Sequence, residues 1–378
     1  MQIAAIILGI LCLLVVVLDA FETIVLPRRV VRRFRFTKIF YRLTWMVWAV
    51  PGRKMREGNR REYYLSFYGP LSLIILLILW ASIFIVAFAL IHWGLLLPIS
   101  SFAHTHSFGN YLYFSGTTFV TLGLGDITPL SAMGRFMTVL EGGTGLGFLA
   151  LVIGYVPVIY QTFSRREQNI SQLDARAGTP PNGPEILLRH YNGQQAAELL
   201  QFLRDWERWC AELLESHLSY PVLAYYRSQH EDQSWLAALT AILDVCALIM
   251  VGVEGVSPKP AKFIFALGRH AAVDLAQSFS VDRVVEQRSF SMDDFLDLRS
   301  NLAEHGIILH DEPEVAEARF KELRGMYEPF VVSLSHYFLV RLPTLKITAD
   351  RVDDWQTSAW DHFLPSSPHT LDRTMRRG

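Results

Sequence analysis

From residue 63 to residue 134 the chain has no lysine and no arginine. A stretch that long without one cation offers nothing to a nucleic-acid backbone and is foreign to a solvated surface. Cysteine is scarce too: Cys12, Cys210 and Cys246 lie far apart and outside any C-x-x-C spacing, so neither a disulfide framework nor a zinc site is signalled. Charged residues make up 19% of the 378 residues against 51% hydrophobic ones, a balance too oily for a soluble protein of this length. Runs of alternating apolar and polar residues are missing, as is a G-x-G-x-x-G behind a strand, which disfavours a Rossmann-type regulatory domain. No nucleophile-and-base constellation stands out, so the expectation is a protein that is not an enzyme and uses no cofactor.

What is present sorts into membrane spans. "IAAIILGILCLLVVVL" (3–18) lacks the positive start and the small-x-small cleavage site of a signal peptide and reads as an uncleaved first span within residues 1–24. Residues 25–65 follow as a basic segment, with twelve Lys/Arg against two Glu between 28 and 62. The positive-inside rule makes that segment cytoplasmic and places the N-terminus outside. Phe34, Phe36, Phe40, Trp45 and Trp48 interleave with its cations, as in a helix lying in the headgroup layer; a nucleic-acid patch is the alternative, disfavoured between two spans. Residues 69–97 form a second span, longer than the roughly 20 residues a bilayer core requires. A third, 133–163, is closed by Arg165 and Arg166. Residues 1–162 carry 13 Lys/Arg and 6 Asp/Glu, residues 163–378 carry 22 and 30, so the two parts face different surroundings. The expected protein is multi-pass in the cell (inner or plasma) membrane, with residues 98–132 outside and the C-terminal part cytoplasmic.

Within the outer loop lies "TTFVTLGLGD" (117–126). Residues 108–119 suit a short helix that re-enters the membrane, with Tyr111, Tyr113, Phe114 and Phe119 as packing groups. Directly after it Thr118, Thr121, Gly123, Gly125 and Asp126 spell T-x-x-T-x-G-x-G-D. Non-helical backbone is tolerated at that depth only where protein buries it or water reaches it. Glycines at alternate positions permit dihedrals that turn successive carbonyls to one side, where they can replace the water shell of a cation.

Span, pore helix, this motif and a further span together resemble the pore module of potassium channels over residues 66–163. "LVIGYVPVIYQTFSRRE" with "LDARAG" is similar to bacterial potassium-channel family proteins. The resemblance implies that the carbonyls of Thr121, Leu122, Gly123 and Leu124, with the Thr121 hydroxyl, form the ion sites, and that Thr117 and Thr118 support them from the pore helix. Permeant potassium is then the only metal expected. One loop per chain means four chains per filter, hence a homotetramer with four Asp126 carboxylates ringing the outer mouth. The family usually has Tyr or Phe where this chain has Leu124, which fills space but donates no hydrogen bond. The Gly-Leu-Gly form resembles some second pore loops of animal two-pore-domain channels.

Glu141 falls inside the hydrocarbon zone, about 12 Å along a helix from Met133. A carboxyl there must be paired, neutralised or wetted. It could brace the loop, sense pH or serve as a structural carboxyl bonded to a neighbouring helix. Gly143 and Gly145, with Gly142 and Gly147, suggest a gating hinge or close helix packing; Pro157 is a second candidate bend. Residues 164–190, containing "GTPPNGP", read as a linker, and 191–378 as a helical cytoplasmic domain. There Leu199, Leu203, Trp206, Cys210, Leu213 and His217 recur on one helix face. Residues 235–253 are apolar enough to pass for a fourth span, but Asp244 near their middle favours a buried soluble helix. His305, His310 and Asp311 are candidate metal ligands, but the five-residue His spacing is not a helix-face pair, and surface histidines are the favoured reading.

The sequence thus predicts an all-α membrane protein: a potassium-channel-like pore module with an extra N-terminal span and a C-terminal cytoplasmic helical domain. Its function would be a homotetrameric cation channel, potassium-selective, with the lipid bilayer and an unidentified regulator of the C-terminal domain as partners and no nucleic acid. A weakly selective cation channel and a non-conducting membrane-anchored scaffold are the alternatives.

Overall fold

The structure, a computed structural model, describes every residue except 27–34, 101–106, 192–195, 229–232, 282–287, 289 and 348–378. Arg28, Arg29, Arg32, Arg33 and Phe34 of the basic segment, part of the outer loop and the end of the 191–378 region therefore lie outside the described residues. The chain divides into two units, Met1–Arg165 with Leu213–Arg227, and Arg166–Glu212 with Ser228–Gly378.

In the first unit α1 (Gln2–Ala20) ends in one π-helical turn, Phe21–Val25, and α2 (Phe36–Lys54), α3 (Asn59–Ser66), α4 (Tyr68–Gly94) and α5 (Phe108–Phe119) follow. Then comes α6 (Ala132–Ala177), which continues past Arg165. A two-residue ribbon joins β1 (Ile99–Ser100) antiparallel to β2 (Thr128–Pro129), Ile99 opposite Pro129 and Ser100 opposite Thr128. In α4 the only proline, Pro70, stands in the first turn, where its missing N–H leaves no bond unmade. Gly9 of α1 and Gly94 of α4 let these two helices close up. A Cβ on Gly9 would stand 2.7 Å from the Ala87 carbonyl oxygen, and one on Gly94 2.9 Å from that of Gln2.

Asp19, buried at the end of α1, ties three helices together. Its carboxylate accepts the indole N–H of Trp80 on α4 at 3.0 Å and the backbone N–H of Thr37 at 3.1 Å. The Thr37 hydroxyl donates to its second oxygen. Thr37 sits in the first turn of α2, so Asp19 satisfies one of the free N–H groups there and meets the positive end of the helix dipole.

Residues 164–190 are not a linker. "RREQNISQLDARA" contains neither glycine nor proline, so α6 has no reason to stop before Ala177, and Ile170 and Leu173 on that stretch are buried. The turn comes only at Gly178, whose φ is +78°, followed by a cis Thr179–Pro180 bond and α7 (Gly183–His190). Residues 191–378 are likewise not one domain, because Leu213–Arg227 group with the first unit. α8 (Ala197–Ser219) buries all six residues of its expected face, Leu199, Leu203, Trp206, Cys210, Leu213 and His217.

The second unit is built around α9 (Trp235–Gly252), against which α7, α10 (Pro258–Ser278), α12 (Pro313–Gly325) and α13 (Glu328–Phe338) all pack; α11 (Met292–Glu304) contacts α7 and α12. Among the described residues four helical segments are long and apolar enough to cross a membrane: Gln2–Val25, Asn59–Gly94, Ala132–Ala177 and Trp235–Gly252. In the first three the most apolar stretch is 28%, 39% and 17% buried by the chain itself, but in α9 the figure is 89%. Protein takes the place of lipid around α9. Asp244 at its centre is fully buried and meets the Tyr327 hydroxyl and, at 3.6 Å, the Nε of Arg324. Arg324 also donates to Glu328 at 2.6 Å, and Arg288 to the same carboxylate oxygen at 2.8 Å.

Removing Asp244 would leave Arg324, itself only 4% exposed, short of a counter-charge. Asp244→Ala should cost about 3 kcal/mol of stability, and Tyr327→Phe about 1 kcal/mol, the worth of one hydrogen bond. Thermal melts of the purified full chain in detergent check the order; equal melting of Asp244→Ala and the native chain would show that the network contributes nothing.

Candidate functional site

The segment between α5 and α6 is where the chain leaves helical structure at the depth of its most apolar elements, and its backbone is ordered by α5. The hydroxyl of Thr117 turns back to the Phe114 carbonyl at 3.0 Å. The Thr117 carbonyl accepts the N–H groups of Leu122 at 2.8 Å and Gly123 at 3.2 Å, and the Thr118 carbonyl accepts that of Thr121 at 3.0 Å. The unpaired carbonyls at the helix C-terminus thus take up the N–H groups of the loop. Thr121, Gly123 and Gly125 have φ of +58°, +54° and +79°, whereas Leu122 and Leu124 between them are not among the positive-φ residues. Glycine adopts this region freely; a threonine there is strained and must be held by its surroundings. Among the described residues no backbone N–H donates to the carbonyls of Thr121, Leu122, Gly123 or Leu124.

Leu122 and Leu124 are each 59% exposed in the single chain, and Cβ atoms on Gly123 or Gly125 would meet nothing within 4 Å. Asp126 is exposed, and the Tyr113 side chain on α5 faces its carboxylate. Beyond it the loop is pinned to the end of α4: Leu130 N–H donates to the Pro98 carbonyl at 2.9 Å, and the Ser100 and Thr128 hydroxyls are 2.7 Å apart.

The back of α5 is fixed to both flanking helices. Tyr111, fully buried, donates to the Leu97 carbonyl at 2.9 Å, and Phe119 stacks on Phe84 of α4 with ring centres 5.5 Å apart and lies 6.0 Å from Phe148 of α6. Between these anchors Glu141 of α6, completely buried, meets His92 of α4 at 3.2 Å, Oε2 to Nε2. The His92 ring stands edge-on to Phe114 of α5, and the buried Ser115 hydroxyl faces the same carboxyl group without reaching hydrogen-bond geometry. Three helices therefore converge on one carboxyl directly behind the loop. The sequence pointed to Glu141 but not to His92, 49 positions away; a lone histidine at the end of an apolar run was the one available signal.

The remaining singled-out residues are spread along α6. A Cβ on Gly145 would collide with the carbonyl of Phe119, whose carbon would be 2.8 Å away. Gly145 is thus the point where α6 touches the base of α5. Gly143 faces open space, and Pro157 lies in an exposed stretch of an otherwise continuous helix. Asp19, Trp80 and Tyr113 were not anticipated as partners. In the second unit His305 and His310 are exposed, and among the described residues no group of three His, Cys, Asp or Glu could hold a metal ion.

These contacts predict opposite outcomes for two neighbouring glycines. Gly145→Ala should destabilise the protein by about 1–3 kcal/mol, because backbone faces backbone and neither can yield. Gly143→Ala should be neutral or stabilising by up to about 1 kcal/mol through helix propensity. Melting of both variants in detergent measures the difference, and equal effects would remove Gly145 as the contact point.

Residues 73–161, which carry most of α4, all of α5, the loop and much of α6, match the family described as ion channel. The chain is also similar to the uncharacterized membrane protein YdjJ of Bacillus subtilis (strain 168), 27% identical over 207 residues, which is 52% of this chain and 57% of the relative. It thus spans little more than half the length of that curated relative. No solved structure matches. The chain is an all-α membrane protein whose residues 73–161 match the ion channel family.

Proposed function

We propose that this chain is one subunit of a homotetrameric cation channel that passes potassium through the carbonyls of residues 121–124. The observation that carries the reading is the loop's one-sided hydrogen bonding. The N–H groups of residues 121–123 are taken by Thr117 and Thr118, φ is positive at Thr121, Gly123 and Gly125 but not at the leucines between them, and the carbonyls of residues 121–124 are left without a backbone donor among the described residues. Carbonyls free in that way suit a dehydrated cation and nothing anionic. Four copies supply the ring of oxygens, and the exposed Leu122 and Leu124 are the apolar surface that such an assembly would cover. The exposed Asp126 adds negative charge at the entrance. Glu141 and His92 brace the pore helix from behind, and α6 lines the path with Gly143 and Pro157 as the places where it can bend. The twelve cations between residues 28 and 62 favour a cytoplasmic location for that segment, an outer location for the N-terminus and a cytoplasmic one for the second unit, in the inner or plasma membrane. The regulator acting on the second unit is unidentified.

Flux from liposomes containing the purified full chain tests this. Potassium should move down its gradient faster than sodium, the protein should have the mass of four subunits, and Gly123→Ala, which places a methyl group on a φ of +54°, should abolish conduction while leaving the tetramer intact. A tetramer that passes neither ion would favour the scaffold reading. Equal sodium and potassium flux would make the channel weakly selective, and an unaffected Gly123→Ala protein would dissociate conduction from this loop.

A further inference from the structure

Residues 220–227, far along the chain from the pore loop, lie in the first unit and touch four of its helices. The Tyr220 ring is 5.9 Å from that of Tyr155 on α6. Val222, Leu223 and Ala224 are buried. Tyr225, buried as well, is enclosed by Tyr41 and Trp45 of α2 and Tyr68 of α4, with ring centres 5.7, 5.3 and 5.0 Å away. Tyr226 lies 5.3 Å from Phe163 on α6, and presses so closely on Gly69 of α4 that a Cβ there would stand 2.7 Å from its ring. Arg227 closes the segment with an ion pair to Glu62 of α3 at 3.2 Å.

The two grips on α6, at Tyr155 and Phe163, are eight residues or about 12 Å apart, and Pro157 stands between them. A proline inside a helix removes one backbone hydrogen bond and crowds the preceding turn, so α6 is weakest there. Tyr155, Ile159 and Phe163 share one face, and all are buried; Ile153, Val156 and Tyr160 point elsewhere and are exposed. The segment therefore holds the back of α6 across its weak point and leaves the other face free.

We propose that residues 220–227 are a splint across Pro157 that holds α6 against α2 and α4 and so keeps the inner end of the pore apart. This rests on the channel reading above. With the splint in place, the free apolar face of α6 is kept back from its copies. With it released, α6 bends at Pro157, the exposed faces of four helices converge, and an apolar constriction of that kind dries and stops ions. Because the splint belongs to the same stretch of chain as α8, whatever acts on the C-terminal region has a direct mechanical route to the pore.

The test uses the full chain in lipid nanodiscs and liposomes, as the native form, Tyr226→Ala and Gly69→Ala. The second variant displaces the Tyr226 ring from the opposite side of the contact without altering the splint itself. Backbone hydrogen exchange over residues 153–165 should quicken at least tenfold in both variants, with residues 108–119 unchanged as the internal control for folding. Potassium flux per tetramer should fall at least threefold. Unchanged exchange at 153–165 in both variants would overturn the splint. Faster exchange with equal or greater flux would overturn its role in holding the pore open. A native chain that passes no ions would instead defeat the channel reading, while the exchange comparison would still decide whether the splint restrains α6.

Discussion

A polar group carried to the depth of the hydrocarbon has no water to bond, so the chain must furnish a partner or admit water. Two places in the first unit furnish the partner from another helix. Asp19 finds Trp80 and Thr37, and in doing so fixes α1, α2 and the start of the pore module to one another. Glu141 finds His92, and pins α6 to α4 beside α5. The loop after α5 meets the demand on one side only: Thr117 and Thr118 absorb the N–H groups of residues 121–123, while the carbonyls of residues 121–124 have no backbone donor among the described residues. An acceptor row of that kind is stable at depth only beside water or a cation, which is the physical ground for the proposed path, with the two closed pairs as its frame.

The frame relies on aromatic rings where the loop relies on backbone. Phe84, Phe119 and Phe148 join α4, α5 and α6 at the base of the pore helix, and Tyr111 fastens its side to the Leu97 carbonyl. Rings suit this task because they bury large area with few rotamers to lose, and a phenol end can still reach a polar group. The absence of an aromatic residue at position 124 is understood in the same terms. A phenol is still present near the outer end of the loop, but it belongs to Tyr113 of α5 and faces Asp126.

The parts of this arrangement legible in the sequence were the local ones. A short helix is expected at 108–119 and one is found at Phe108–Phe119, because an apolar face, an onset after a polar loop and the glycines beyond it all act within a few residues. The six-residue face of α8 was likewise fixed by helical periodicity. What escaped were the pairings across distance. Nothing within ten residues of Glu141 names His92, and nothing near Tyr225 names Tyr41 or Trp45; those partners are set by how helices pack. The linker reading failed for a different reason. "GTPPNGP" does break the helix, but only at Gly178, and the residues before it are good helix formers that were credited to the break.

α9 shows why hydropathy alone could not separate span from core. An apolar run records that water is shunned, not whether lipid or protein replaces it. The distinction lies in what polar side chains within the run require. In lipid, Asp244 would have to be neutralised alone or drag water inward; inside a packed unit it can be met by groups that are themselves held in place. Tyr327 and Arg324 meet it, and Glu328 accepts from both Arg324 and Arg288, so that two carboxylates face two guanidinium groups. Each member of that chain needs the next, and together they require three further segments folded around α9, as its near-complete burial shows. A single aspartate in the middle of an apolar helix thus specifies a surrounding shell, much as Glu141 in α6 specifies a partner on α4, and in both cases the polar residue determines where the helix can lie.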